Sequence, residues 1–188
     1  HFKRKLKTTL DYYNIKPNKK LGQNFIFDFN ILEKIVKSSL PISEHTIIEI
    51  GPGPGGLSRA LLKYNPKKLI LIEIDKKFKP VLEEMSEAYS DTNIEVIYKD
   101  FMKVSHDIFS YENLKIFSNL PYYVSSTILL KILPLKSNIT EVIFTFQKEV
   151  GQRLLAAPGS KNYSRLTVIT QYACKVKKMQ ILPAKVFY

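Results

Sequence analysis

The chain has 188 residues, is 45% hydrophobic, and carries 29 Lys and Arg against 17 Asp and Glu, a formal charge of +12. That is enough apolar material for one buried core. No apolar run reaches membrane-spanning length, and the single cysteine, Cys174, excludes a disulfide framework. The basic balance points to a polyanionic partner, most simply nucleic acid; a lysine-rich surface with no specific role is the plainer alternative. No secretory apolar region opens the sequence, so a cytoplasmic protein is expected.

Residues 1–20 hold Lys3, Arg4, Lys5, Lys7, Lys16, Lys19 and Lys20. They are expected as a basic, solvated, mobile arm ahead of one domain over 21–188. Leu21-Gly22-Gln23-Asn24-Phe25-Ile26 reads as a loop whose two amides can hydrogen-bond a polar ligand. Asn30 with Glu33 has the spacing of a capping box. Ile31, Leu32, Ile35 and Val36 recur at helical spacing, which predicts a helix over 30–39.

Thr46-Ile-Ile-Glu49-Ile-Gly51-Pro-Gly53-Pro-Gly55-Gly56-Leu-Ser58 runs from a buried strand through a tight turn into a helix. Gly51, Gly53 and Gly56 fit Gly-x-Gly-x-x-Gly, a pattern that by itself also describes a surface turn. Glu49 sharpens it. A pyrophosphate gains nothing from a carboxylate at that place, whereas a cationic sulfonium with an amino-acid tail does. The next strand, from Lys68, ends in Glu73-Ile74-Asp75, about twenty residues on, where a ribose-binding acid is expected.

Phe78, Val81, Leu82 and Met85 mark an amphipathic helix. A strand over 94–98 exits at Asp100-Phe101, and one over 115–118 exits at Asn119-Leu120-Pro121-Tyr122. Ser125 or Ser126 is the expected cap of a helix through Ile128, Leu129 and Ile132. A strand over 141–146, helices over 149–156 and 166–173, and a last strand over 179–182 complete the pattern. Strands alternating with helices predict an α/β fold with a mostly parallel sheet flanked by helices. Ligands in such sheets bind beyond the carboxyl ends of the strands, which gathers Glu49, Gly51, Glu73, Asp100 and Asn119 on one edge. His1, His45 and His106 lack metal-ligand spacing, so no metal is expected. Ala173 before Cys174 argues against a cysteine nucleophile for pyrimidine methylation.

Asn119-Leu120-Pro121-Tyr122 carries the chemistry. An exocyclic amine such as adenine N6 is a poor nucleophile because its lone pair is delocalised into the ring. Acceptors for its hydrogens favour a pyramidal nitrogen and in-line attack on a methyl group. The Asn119 side-chain oxygen and the Leu120 or Pro121 carbonyl can supply them, and proline brings no competing N–H. Tyr122 can stack on an unstacked base.

Asn-Leu-Pro-Tyr is the signature of methyltransferases that act on exocyclic amines. Together with Leu-Gly-Gln-Asn-Phe, Glu-Ile-Gly-Pro-Gly-Pro-Gly-Gly-Leu and Phe-Gln-Lys-Glu-Val-Gly-Gln-Arg-Leu, it closely resembles the small-subunit ribosomal RNA adenine N6,N6-dimethyltransferase family. The segment from Pro158 through Arg165 to Tyr172 adds to the match, which runs from about residue 17 onward. The resemblance implies a Rossmann-like class I fold and S-adenosylmethionine as cofactor. It implies dimethylation of two adjacent adenosines in a hairpin near the 3′ end of small-subunit ribosomal RNA, by a monomer without a membrane partner, during small-subunit maturation. It implies that Gln23, Asn24, Ile26, Glu49, Gly51, Gly53, Glu73, Ile74, Asp100, Phe101 and Asn119 contact the cofactor, with Glu73 on the ribose and Asp100 on the adenine amine. It also implies that Asn119, Leu120, Pro121, Tyr122 and Phe187 surround the target base.

Pro52 and Pro54 set the chain apart from the sister branch that methylates large-subunit RNA and gives macrolide resistance, whose glycine loop reads Gly-Thr-Gly-Lys-Gly. The family pattern continues past Val186-Phe187 with a last antiparallel strand and a small helical RNA-binding domain. The expectation is therefore a truncated form that folds and binds cofactor, holds Phe187 poorly, and is nearly inactive on ribosomal subunits. An NAD-type oxidoreductase and a non-catalytic RNA-binding relative are the competing readings.

Overall fold

The run Thr46–Ile50 (β1) is buried at every position, so it needs cover on both faces. The computed structural model, which describes residues 6–16, 25–120 and 122–187, provides it. β1 lies at the centre of a five-stranded sheet with β2 (Lys68–Glu73), β3 (Ile94–Tyr98), β4 (Leu114–Ser118) and β5 (Ile139–Phe144). The order is β3-β2-β1-β4-β5, and every pair is parallel. All five carboxyl ends thus lie on one edge, and the strand order reverses between β1 and β4, where such folds open a crevice.

Side chains alternate between the two faces with the period of two that strands impose. Ile47, Leu69, Leu71 and Phe117 enter one core layer, and Ile48, Ile50, Ile70, Ile72 and Ile116 the other. The first layer is covered by α1 (Leu6–Tyr12), α2 (Phe29–Lys37), α3 (Gly56–Leu62) and α4 (Lys79–Ala88). The second packs on α5 (Tyr122–Ile132) through Ile128 and Ile132. Helices α6 (Lys148–Leu154) and α7 (Arg165–Ala173) follow β5. Gln171 Nε2 joins them by donating to the Leu154 and Ala156 carbonyls.

Several expectations are corrected. The mobile arm is, over Leu6–Tyr12, a helix with Leu6, Thr9 and Leu10 buried; its two apolar anchors outweigh the solvation of its lysines. Arg59, itself 6% exposed, donates to the Thr9 hydroxyl and pins that helix to α3. Asp28, not Asn30, caps α2, its carboxylate accepting from the backbone N–H of Asn30 and Ile31. A carboxylate suits the positive end of a helix better than an amide does, and Glu33 is drawn instead to Lys37, Lys63 and Tyr64.

Helix α5 starts at Tyr122, so Ser125 lies inside it, 1% exposed, rather than capping it. Strand β5 ends at Phe144, two residues before the predicted end, and α6 begins at Lys148. The strand expected over 179–182 does not form. Met179 and Ile181 are exposed there, no strand among the described residues pairs with this run, and a 3₁₀ turn follows at Ala184–Val186.

If α1 is part of the core, Leu10→Ala lowers the unfolding free energy by about 2–4 kcal/mol in urea titration. A change under about 0.5 kcal/mol would show a loosely attached segment.

Candidate active site

The site begins where β1 gives way to glycine. Gly51 and Gly53 have φ of +70° and +55°, the left-handed region that L side chains avoid. A Cβ at either position would also crowd a neighbouring side chain, Leu120 at Gly51 and Phe25 at Gly53, which would have to shift. The turn is held open by a carboxylate. Glu73, at the end of β2 and 4% exposed, accepts from the Gly53 N–H at 2.9 Å and from the Asp75 N–H at 2.8 Å. Burial raises its pKa above the usual carboxylate range, against the pull of those N–H groups.

Glu49 is 2% exposed, and its Oε2 has no hydrogen-bond partner among the described residues. Burial pushes its pKa up to about 8; the Ser58 hydroxyl opposes this and the Glu73 charge adds to it. A cleft at the β1–β4 reversal is lined by Glu49, Gly51, Pro52, Phe25, Ile26 and Asn119, among others. The Ser118 hydroxyl, one residue before Asn119, donates to the Ile50 carbonyl at 3.1 Å and ties β4 to β1.

The structure brings Ile26, Glu49, Gly51 and Asn119 onto this one cleft, with Gly53 and Glu73 directly behind the turn. Leu120 packs against Gly51. Ile74 is 57% exposed beyond Glu73. Asp100 caps a 3₁₀ turn at Phe101–Lys103 by accepting from the Met102 N–H. The Phe101 side chain lies in the core, in T-shaped contact with Phe109. Phe187, expected to be poorly held, is joined to Ile26 by an antiparallel bridge and packs against the core. Gln23, Asn24 and Pro121 lie outside the described residues, as does the Tyr122 side chain.

Three contributors escaped sequence reasoning. Phe25 packs over Gly53 and T-shaped on Phe78. Thr145 donates to Asn119 Oδ1. Lys131 on α5 donates to the carbonyls of Phe101, Met102 and Val104, fixing the turn that carries Asp100. No motif signals Lys131, since backbone carbonyls leave no trace in sequence.

The family model described as ribosomal RNA adenine dimethylase matches residues 14–188. The Bacillus mycoides protein named ribosomal RNA small subunit methyltransferase A is 39% identical over 187 residues, covering 96% of this chain and 63% of that protein. The mitochondrial dimethyladenosine transferase 1 of Vermamoeba vermiformis is 34% identical over 228 residues, covering 93% of this chain and 66% of that protein. The chain thus spans just under two thirds of the length of these curated relatives. A crystal structure of a dimethyladenosine transferase from Plasmodium falciparum superposes with a TM-score of 0.68 at 32% identity, over 78% of this chain and 51% of that one. The 23S rRNA methyltransferase ErmE superposes at 0.63 with 24% identity, over 79% of this chain and 57% of that one, a likeness of fold alone.

The buried acids set a pH dependence. Folded Glu49 keeps, up to about pH 8, a proton that the unfolded chain loses near 4.5. Stability from this group is full below about pH 4.5 and falls as pH rises to about 8; Glu73 acts with the same sign. Glu49→Gln should flatten that fall, gaining up to about 5 kcal/mol on the parent at pH 8, read by urea denaturation at stepped pH. An unchanged slope would assign the titration to other groups.

Proposed function

The chain belongs to the ribosomal RNA adenine dimethylase family, and from that premise we propose that it transfers methyl groups from S-adenosylmethionine to N6 of two adjacent adenosines near the 3′ end of small-subunit ribosomal RNA. Its fold is that of class I S-adenosylmethionine-dependent methyltransferases. The observation that carries the reading is the meeting in one cleft of Asn119 and the buried Glu49 carboxyl group, one oxygen of which no described residue satisfies.

The residues fit this cofactor. The unsatisfied Glu49 oxygen beside the Gly51 turn gains from a cationic ligand, which would shift this buried acid to its ionised form, and gains nothing from a pyrophosphate, which argues against the NAD-type reading. Gly51 and Gly53 leave backbone bare where a ligand must approach closely. Glu73 and Asp100 stand at the next two strand exits, the first for the ribose hydroxyls and the second for the adenine amine. When bound, the cofactor supplies an activated methyl group on a sulfonium. Asn119 Oδ1, with the backbone carbonyl that follows, accepts from the hydrogens of the target amine and holds its lone pair in line. The nitrogen sheds a proton to water as it is alkylated, so no strong base is required. Tyr122 and Phe187 are assigned to stacking on the target base, each face contributing on the order of 1–3 kcal/mol.

The formal charge of +12 suits an RNA partner. No helix among the described residues is long and apolar enough to cross a membrane. We place the activity on the assembling small subunit, carried by a monomer in the cytoplasm; one relative bears a mitochondrial name.

Tritiated methyl transfer by the full-length natural protein to unmethylated small subunits, with the product base mapped, tests the reading. Transfer to large-subunit RNA alone would favour the sister branch, and none to either the non-catalytic one. Asn119→Ala should abolish transfer while S-adenosylmethionine affinity stays within roughly tenfold by calorimetry; near-normal turnover would remove Asn119 from the chemistry. Glu73→Ala should weaken that affinity by about 1–3 kcal/mol, and unchanged binding would put the ribose elsewhere. RNA binding should fall steeply with salt; a flat response would leave the surface lysines without a phosphate partner.

A further inference from the structure

Asn119 is not left to find its own orientation. The Thr145 hydroxyl donates to its Oδ1 at 2.7 Å. Thr145 follows directly on β5, and its backbone N–H donates to the Ser118 carbonyl at 3.1 Å. Since Ser118 pairs with Phe144 in the β4–β5 register, this bond carries the ladder one step past the strand ends. Thr145 is therefore held by the sheet itself, and through its side chain it holds the residue after Ser118.

An unrestrained asparagine amide turns broadly about its last torsion. Its oxygen has two lone-pair directions. With one of them taken by Thr145, the plane of the amide is set and the other remains for a ligand. A hydroxyl donor competes weakly for electron density on that oxygen, but a misdirected acceptor loses far more, because transfer depends on alignment.

We propose that Thr145 is a positioning residue for methyl transfer: it orients the Asn119 amide so that its oxygen meets the amine of the target base. This rests on the reading of Asn119 as the amine acceptor. Thr145 touches neither reacting atom and acts only through Asn119.

The test uses the full-length natural protein, S-adenosylmethionine and unmethylated small subunits. Thr145→Val keeps the shape and removes the donor, and should lower kcat about tenfold, with KM for subunits and the cofactor Kd within about twofold. Thr145→Ser should bring kcat back to within about threefold of the parent. A merely structural role would shift affinity and stability together and would not be rescued by serine. Wild-type kcat in Thr145→Val beside an inactive Asn119→Ala overturns this inference and leaves the amine reading standing. An active Asn119→Ala overturns both. A second measurement needs no turnover. In protein labelled with ¹⁵N-asparagine, the side-chain amide pair of Asn119, identified by its loss in Asn119→Ala, should shift in Thr145→Val and return in Thr145→Ser. A pair that does not move removes the hydrogen bond and the proposal with it.

Discussion

The Glu73 carboxylate ties the rim of the sheet together. By accepting from the N–H groups of Gly53 and Asp75 it joins the turn after β1 to the end of β2. The left-handed backbone at Gly51 and Gly53 has few intrinsic reasons to persist, and a buried acid that must have donors supplies one. From that latch follow the approach of Leu120 to Gly51, the packing of Phe25 over Gly53, and a cleft whose wall includes Glu49.

The two edges of the sheet treat buried charge in opposite ways. Near the amino edge, Lys115 is 6% exposed but fully engaged: it donates to the carbonyls of Ser39 and Pro41 and to the Ser39 hydroxyl, and pairs with Glu141, which the Ser39 hydroxyl also contacts. That cluster fastens the segment leading into β1 and completes itself. At the carboxyl edge Glu49 is as deeply buried, yet its Oε2 lacks a partner. Both burials cost desolvation free energy. Only the second leaves an oxygen that no described residue satisfies.

Much of this was legible in the sequence because it depended on local pattern. The apolar runs gave the strands, the glycines the turn, and the acids at strand exits the rim, since parallel order puts all exits on one edge. What was not legible depended on contacts distant in sequence. Leu6 and Leu10 look like incidental apolar residues in a basic arm until α3 is there to receive them. Asp28 outcompeted Asn30 for the α2 cap only because Glu33 had partners 30 and 31 residues away. Thr145 was hidden by a strand end placed two residues late. As an interior residue it has no meaning, whereas as the residue just past β5 it belongs to the same edge as Asn119. The run 179–182 has the apolar residues of a strand, but a short apolar run with no ladder beside it among the described residues does not make one.

Lys131 is the other long-range tie. Its ammonium, whose pKa burial lowers, grips the carbonyls of Phe101, Met102 and Val104 in the turn after β3 and lies over the Phe101 ring. Its hold on the carbonyls is blind to the identity of the residues that bear them. Met102 and Lys103 could be exchanged for most other residues and the turn would still be gripped through the same backbone oxygens. The segment bearing Asp100 is thus fixed in place while its outward face stays open to change in sequence.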